Sequence, residues 1–215
     1  MTKEELDRLT EQRYEEFVAK PIISEIILRL KQELDLRYVY HSVDHTRDVL
    51  RVTLCFALAE SVDERLLELL AIAAAYHDAG FLVGVENHEP RGADMAVEAM
   101  SSSGGYTEHE KSLVNQMILD TQLKNIFKGA AQVASNDLSR YLLDADLANL
   151  GRDDCFDKME FISQELGLKG KELLSQTLQL CTAHDWQSDI ARSLLDEKKQ
   201  QNVEALKGRL AKFEG

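Results

Sequence analysis

Four residues of this chain have the types and surroundings expected of metal ligands: His45, the adjacent pair His77 and Asp78, and Asp146. Imidazole and carboxylate groups bind divalent metal ions, and a set of four leaves coordination positions open for water and substrate. A bound ion lowers the pKa of water and neutralises charge that develops on a phosphoryl group. These residue types therefore predict metal-assisted hydrolysis at phosphorus.

The surroundings of Asp146 favour a charged partner for this carboxylate. Its neighbours along the chain are mainly leucines in a helical pattern, and a carboxylate buried there without a partner would be costly. A metal ion would supply the opposite charge, and so would an arginine. Asp144 is the alternative ligand, or a residue that supports Asp146. A single helical histidine or aspartate is usually structural, so the prediction depends on the combination.

Nearly the whole chain has the apolar periodicity of α-helices, and no segment has the alternation typical of a strand. The predicted helices cover approximately residues 2–19, 22–34, 42–60, 61–78, 90–101, 107–121, 136–149, 153–166, 170–185 and 188–213. Ser42 is the expected N-cap of the third helix, which places His45 at its third position. His77 and Asp78 fall in the last turn of the fourth helix, which we expect Gly80 to terminate.

The helix starts carry recognisable capping signals. Thr2, Ser61 and Thr107 are each followed three residues later by glutamate, as in a capping box. Pro21 and Pro90 are each expected in the first turn of a helix. We predict an all-α fold in which residues 1–215 form one domain. Its metal-site core spans about residues 38–150, and residues 151–215 form a C-terminal helical extension.

Composition narrows the classes of partner. The chain has 25 basic and 38 acidic residues, a formal net charge of -13. This balance argues against binding nucleic acid polymers, which require a basic surface, and against docking on anionic membranes. A small phosphorylated ligand remains compatible, because a metal ion offsets the negative charge locally.

The chain also lacks the signals of secretion. Cys55, Cys155 and Cys181 are scattered, which indicates free thiols in a reducing compartment. The first residues have no apolar signal core, and no apolar run is long enough to cross a bilayer. We expect a cytoplasmic protein. Without a glycine-rich phosphate loop or a nucleophile elbow, P-loop nucleotidases and serine hydrolases are disfavoured.

The order His, His-Asp, Asp over residues 38–150 resembles the signature of the HD-domain metal-dependent phosphohydrolases. Three local sequences are similar to the family's motifs: Tyr-His-x-x-x-His around His45, Ala-Ala-x-x-His-Asp around His77, and Asp-Ala-Asp-Leu around Asp146. The family's last aspartate precedes leucine, which favours Asp146 over Asp144. The resemblance implies a helical bundle and one or two divalent ions per chain, with Mn, Fe, Mg, Ni, Co and Zn all open. It implies a small phosphorylated substrate, with nucleotides favoured.

The resemblance also suggests roles for residues near the ligands. His41 corresponds to the proton donor of the cyclic-nucleotide phosphodiesterase branch, whose motif has asparagine where this chain has Ser42. That branch's purine-reading glutamine is not identifiable here. His88 would bind a second metal ion or the substrate phosphate, unless it is simply exposed before a helix. Arg91 would contact a phosphate oxygen, and Glu89 would assist catalysis as a carboxylate.

Other residues are weaker candidates. Arg47 and Lys124 are possible phosphate contacts, and Arg47 fits a surface or ion-pairing role better. Four aromatic residues would stack on a base or belong to the core: Tyr38, Tyr40, Phe81 and Phe127. A second His-Asp pair, His184 and Asp185, lacks partners in the right order, and we expect it to pack with Trp186. His109 is expected to be exposed.

Two other functional classes remain open. A non-catalytic HD module would bind metal or nucleotide and regulate a partner. A structural bundle would use its histidines and aspartates for ordinary packing. Neither class predicts metal-dependent turnover. The sequence does not specify whether the substrate is a monoester or a diester, and it leaves a homo-oligomer open.

Overall fold

The computed structural model describes residues 1–123 and 132–213, and Lys124 and Phe127 lie outside these ranges. The described residues contain helices and no strand, so the all-α prediction is confirmed. The α-helices are α1 (Lys3–Val18), α2 (Pro21–Glu33), α3 (Val43–Ala59), α4 (Glu64–Tyr76), α5 (His88–Ser103), α6 (Glu108–Asp120), α7 (Ser139–Asp146), α8 (Cys155–Leu166), α9 (Gly170–Ala183) and α10 (Asp189–Ala211). Two short 3₁₀ helices cover Ala79–Leu82 and Ala148–Gly151.

Helix α4 occupies the centre of the bundle. Its last two turns are buried, and Ala73, Ala74 and Ala75 have no exposed surface. Helices α2, α3, α5 and α6 all pack against α4, and α7 packs against α3. Small side chains allow this close approach of neighbouring helices. The packing brings the start of α3, the end of α4 and the end of α7 to one place.

Most of the predicted helix starts are confirmed. Both Thr2 and Thr107 form complete capping boxes with the glutamates that follow them. Pro21 is the first residue of α2. The Ser42 hydroxyl accepts a hydrogen bond from the His45 backbone N–H at 3.4 Å. This cap holds His45 in the first turn of α3, where its side chain can extend beyond the helix end.

The two ends of α4 differ from the prediction. The helix is capped by Asp63, which accepts a hydrogen bond from the Leu66 N–H at 3.0 Å, and not by Ser61. Ser61 has a left-handed conformation, with φ of 59°. Asp63 takes the cap because its own backbone is extended, as an N-cap requires. The helix ends at Tyr76, so His77 and Asp78 follow its last residue.

Gly80 does not act as the helix terminator that the sequence suggested. It lies within the 3₁₀ helix, and α5 begins at His88, two residues before Pro90. A Cβ atom at Gly80 would lie 2.0 Å from the carbonyl oxygen of His88. The absence of a side chain at Gly80 therefore allows the start of α5 to pack directly against the segment that carries His77 and Asp78.

The C-terminal helices complete the bundle. Helix α10 packs against α9 and against the 3₁₀ helix that follows α7. The Asn202 side-chain amide donates to the carbonyl oxygens of Leu150 at 3.0 Å and Arg152 at 2.9 Å. These bonds fix the chain where it leaves the end of α7. Within the described ranges, no helix combines the length and the apolar character needed to cross a membrane.

Candidate metal centre and the cavity beside it

Three helix ends bring together a buried group of possible metal ligands. His45 is in the first turn of α3, His77 directly follows α4, and Asp146 is the last residue of α7. One ligand atom from each of these three residues lies within 4.8 Å of the others. His45 and His77 are almost completely buried. This helical arrangement could hold a metal ion.

Asp78 lies beside the same group. Its Oδ2 atom is 3.2 Å from His77 Nε2 and 3.6 Å from His45 Nε2. Asp146 Oδ1 is 3.2 Å from His45 Nε2 and 3.6 Å from His77 Nε2. The structure therefore brings together all four residues that the sequence suggested as ligands, with two imidazole nitrogens facing two carboxylate oxygens.

The hydrogen bonding of these atoms fits a cation. The backbone carbonyl of Ala74 can only accept, so His77 Nδ1, 2.8 Å away, donates to it. This bond leaves His77 Nε2 with a free lone pair in the neutral ring. His77 Nε2 and Asp78 Oδ2 are buried and 3.2 Å apart, and neither makes a hydrogen bond of regular geometry. Buried polar atoms without partners are rare and costly, and a divalent ion would satisfy both. The donor set fits several metals and does not identify one.

The electrostatics of the group are consistent with this fit. Burial lowers the pKa of His77, but the negative charges of Asp78 and Asp146 outweigh it and raise the pKa to about 9. Burial would raise the pKa of Asp78, yet the imidazoles, His77 foremost, hold it well below its usual range. Burial likewise opposes ionisation of Asp146, and its hydrogen bond with His45 lowers the pKa. The carboxylates are charged, and they attract positive charge.

Gln132 fixes the orientation of Asp146. Its side-chain amide donates to Asp146 Oδ2 at 3.0 Å and to the Thr121 carbonyl at 2.6 Å. Oδ1 of Asp146 is thereby left to face the imidazoles. Asp144 has a different role, because it is buried and accepts hydrogen bonds from the backbone and hydroxyl of Ser188. Asp144 thus anchors the start of α10, and Asp146 is the aspartate beside the imidazoles.

The second carboxylate oxygen of Asp78 faces another pair of possible ligands. Asp78 Oδ1 is 3.7 Å from His88 Nε2, which is 3.4 Å from Glu89 Oε1. His88 Nδ1 donates to the Val85 carbonyl at 3.0 Å, so Nε2 of the neutral ring is free to accept. Asp78 therefore lies between two sets of side chains. One set lies at the helix ends of α3, α4 and α7, and the other lies at the start of α5.

His41 is held by a glutamate from the C-terminal extension. Glu165 of α8 accepts from His41 Nδ1 at 2.6 Å and from the backbone N–H groups of Tyr40 and His41. The His41 ring stacks on Phe81, with the ring centres 4.4 Å apart. Burial lowers the pKa of His41, but the bond to Glu165 and the charge of Asp78 outweigh it, so the pKa is raised.

A cavity of about 510 Å³ opens beside this group. Its lining includes five of the residues selected as ligands or catalytic groups: His41, Asp78, His88, Glu89 and Asp146. Most of the remaining wall is apolar and comes from the residues after α7 and from α8 and α9. The apolar side chains of this part are those of Leu147, Leu150, Cys155, Met159, Ile162, Leu166, Leu168, Leu173 and Leu180.

Not every candidate reaches the cavity. The Arg91 guanidinium bonds to the Gly84 carbonyl at 3.5 Å, and Arg91 is not among the described residues of the lining. Arg47 lies 3.9 Å from Asp44 at the surface, as expected. His109 is exposed. His184 packs edge-on against Trp186, with ring centres 4.3 Å apart, so this prediction is confirmed.

Of the aromatic residues selected from the sequence, two line the cavity and one packs behind them. Tyr40 and Phe81 line the cavity, while Tyr38 contacts the edge of Phe81 with ring centres 4.9 Å apart. The Tyr40 hydroxyl donates to Asn149 at 3.4 Å. Two side chains that bind residues of the candidate site, Gln132 and Glu165, were not predicted, because each comes from a segment whose local sequence resembles any solvated helix or loop.

Comparisons with known proteins support the fold. No family model and no curated protein matches the chain. A crystal structure of a protein from Lactobacillus plantarum, determined as a Northeast Structural Genomics target, is similar to this structure with a TM-score of 0.62. The two chains are 14% identical over 91% of this chain and 98% of the other. At that identity the likeness shows the helical fold alone.

Proposed function

We propose that this protein is a metal-dependent phosphohydrolase of the HD-domain type that cleaves a small phosphoester. The observation that carries the proposal is the convergence of His45, His77, Asp78 and Asp146 at one end of a cavity large enough for a small molecule. The resemblance of the three local motifs to the HD family supports the same conclusion. Nucleotides remain the substrates that this resemblance favours.

The four residues would hold a divalent cation, which supplies an activated water and positive charge for the phosphoryl group. Asp78 and Asp146 would orient the attacking water through their fixed oxygens. Glu89, buried beside the same cavity, would accept the proton that this water loses. The oxygen of the water forms the new bond to phosphorus as the ester bond breaks.

His41 would donate the proton that the leaving oxygen requires. Its Nδ1 is engaged by Glu165, and the raised pKa favours the protonated ring. Nε2 then carries a proton that can be transferred to the leaving group. Phe81 holds the ring plane by stacking. His88, together with the second oxygen of Asp78, would contribute to the site of a second ion.

The test is metal content paired with turnover. Gently purified protein is assayed for bound metals, and hydrolysis of p-nitrophenyl phosphate and bis-p-nitrophenyl phosphate is followed with Mn, Mg, Ni and Zn. We expect about one or two ions per chain and metal-dependent turnover. His45→Gln should lose both, whereas His109→Gln, a control at an exposed histidine, should retain both.

Other outcomes would redirect the proposal. Stoichiometric metal without turnover of any phosphoester would favour the non-catalytic module. A protein that binds none of these metals, with stability insensitive to chelators, would refute the proposal and favour a structural bundle.

A further inference from the structure

The cavity beside the metal centre has two chemically different ends. Asp78, Glu89 and Asp146 lie at one end, and helices α8 and α9 provide an apolar wall at the other. Among the described residues that line it there is no lysine or arginine. Cations at the ligand end would offset one phosphoryl group.

The polar groups of the apolar wall are largely engaged within their own helix. The Thr177 hydroxyl donates to the Leu173 carbonyl at 2.9 Å, and the Gln176 amide donates to Glu172 at 3.3 Å. A nucleobase has several donors and acceptors that need partners when it is buried. Gln176 is the side chain in this wall best suited to meet them, and it therefore distinguishes a nucleotide from an apolar ligand.

The apolar lining continues to the surface. Val85 and Leu166 both line the cavity, and 55% and 60% of their respective surfaces are exposed. Apolar side chains that both line the cavity and reach the solvent provide an apolar surface along which an apolar group can enter. Burial of each methylene of such a group is worth about a fourfold gain in affinity.

We infer that the cavity binds the apolar part of its ligand, so that the substrate is a phosphoester carrying an alkyl or similarly apolar group. This inference rests on the proposed function for its reacting group. The phosphoryl group lies at the carboxylate and imidazole end, and the apolar group lies along α8 and α9. The cavity volume of about 510 Å³ limits the size of the apolar group.

The first test measures binding without metal or phosphate. Chelator-treated protein is titrated with 1-butanol, 1-hexanol and 1-octanol by calorimetry. We expect affinity to increase by about threefold to fourfold for each added methylene. Leu180→Trp, which fills the cavity from α9, should weaken 1-octanol binding by about tenfold or more. Leu178→Trp is the matched control, because Leu178 is on the same helix outside the cavity lining.

The second test compares ligand classes with Mn added. n-Butyl, n-hexyl and n-octyl phosphate are compared with AMP, both for affinity and for phosphate release. Octyl phosphate should bind at least tenfold more tightly than butyl phosphate and more tightly than AMP. Gln176→Leu should retain or strengthen octyl phosphate binding, which keeps the test informative if Leu180→Trp does not fold. Tighter binding of AMP that is lost in Gln176→Leu would overturn the inference in favour of a nucleotide.

The two proposals fail in different ways. Turnover of p-nitrophenyl phosphate without any effect of alkyl chain length would support the hydrolase and overturn the apolar substrate. Alkyl phosphates that bind according to chain length but are never hydrolysed would support the cavity's ligand class and refute the proposed hydrolase. Binding of 1-octanol that Leu180→Trp leaves unchanged would also overturn the inference.

Discussion

The dipeptide His-Asp occurs twice in this chain, and its two copies lie in opposite electrostatic environments. His77 and His184 are both buried, with exposed fractions of 1% and 7%. The pKa of His77 is raised to about 9, because Asp78 and Asp146 outweigh the effect of burial. The pKa of His184 is lowered to about 3 by burial and by the neighbouring charge of Lys199.

The difference arises from the partners that the fold supplies. Asp78 is buried beside His77, whereas 85% of the Asp185 side chain is exposed. A second imidazole and a second carboxylate reach His77 from other helix ends, and His184 instead contacts Trp186. The same two residues thus could hold a cation only where distant helices add a second imidazole and a second carboxylate.

Removing the aspartate should give the largest difference in metal affinity and turnover between the two His-Asp pairs. Asp78→Asn removes a charged oxygen from the buried group, and we expect metal affinity to fall by at least about a hundredfold, with loss of turnover. Asp185→Asn, its matched control, should leave both unchanged, because this side chain faces solvent. Metal titration by calorimetry and circular dichroism of the helices would measure affinity and folding.

An equal loss of metal in the Asp185 variant would break the comparison. So would a fully loaded, active Asp78→Asn protein, since it would place the ion elsewhere.

Glu165 extends the comparison, because it binds His41, which lines the same cavity as Asp78 of the first pair. Glu165→Gln weakens the bond that orients the His41 ring, so we expect turnover to fall by about tenfold for an alkyl leaving group. Turnover with p-nitrophenol as leaving group should change less, because that leaving group requires less protonation. Metal content should be unchanged, as it should for His41→Ala.

Glu160→Gln provides the control on the same helix, at an exposed glutamate. An equal loss for both leaving groups in Glu165→Gln would indicate that Glu165 acts on the fold and not through His41.

In the second pair, His184 should lower the free energy of unfolding at acid pH. The folded protein keeps His184 neutral down to about pH 3, while in the unfolded chain it gains a proton below about pH 6.5. Above about pH 6.5, the pKa of His184 in the unfolded chain, this residue does not change the free energy of unfolding. As the pH decreases from about 6.5 towards 3, the free energy of unfolding falls by at most about 1.4 kcal/mol for each pH unit.

His184→Gln should make the free energy of unfolding less steep in pH between about 6 and 4. Urea unfolding at a series of pH values would measure this change. An unchanged slope would show that His184 is protonated in the folded state.

The helices and the residues of the candidate metal centre were predictable from sequence because each has a local signature. Apolar periodicity predicted the helices, and Ser42 positioned His45 correctly. His77 and Asp146 were identified by their apolar surroundings and by resemblance to a known motif. The boundaries of α4 were less well predicted, because Ser61 and Asp63 both have the side chain of an N-cap and only the backbone conformation decides between them.

The rest of the site depends on tertiary contacts that leave no local signal. Glu165 is one of several glutamates in the C-terminal helices, and only the packing of α8 beside His41 gives it a role. Gln132 reaches Asp146 from a segment without a helical pattern. Arg91 had the right spacing for the phosphate, but its guanidinium bonds to Gly84. In each case the direction of the side chain is set by the neighbours that it packs against.

The close contact at Gly80 has a genetic consequence. Every base change that replaces a glycine in a single step introduces a residue with a Cβ atom or a stop. At Gly80 that atom would meet the carbonyl oxygen of His88 at 2.0 Å, whereas at Gly208 no atom lies within 4 Å. Among random point mutants selected for function, missense changes should be depleted at the Gly80 codon and recovered at the Gly208 codon. At this position, which joins the two sides of Asp78, only synonymous base changes preserve the close contact.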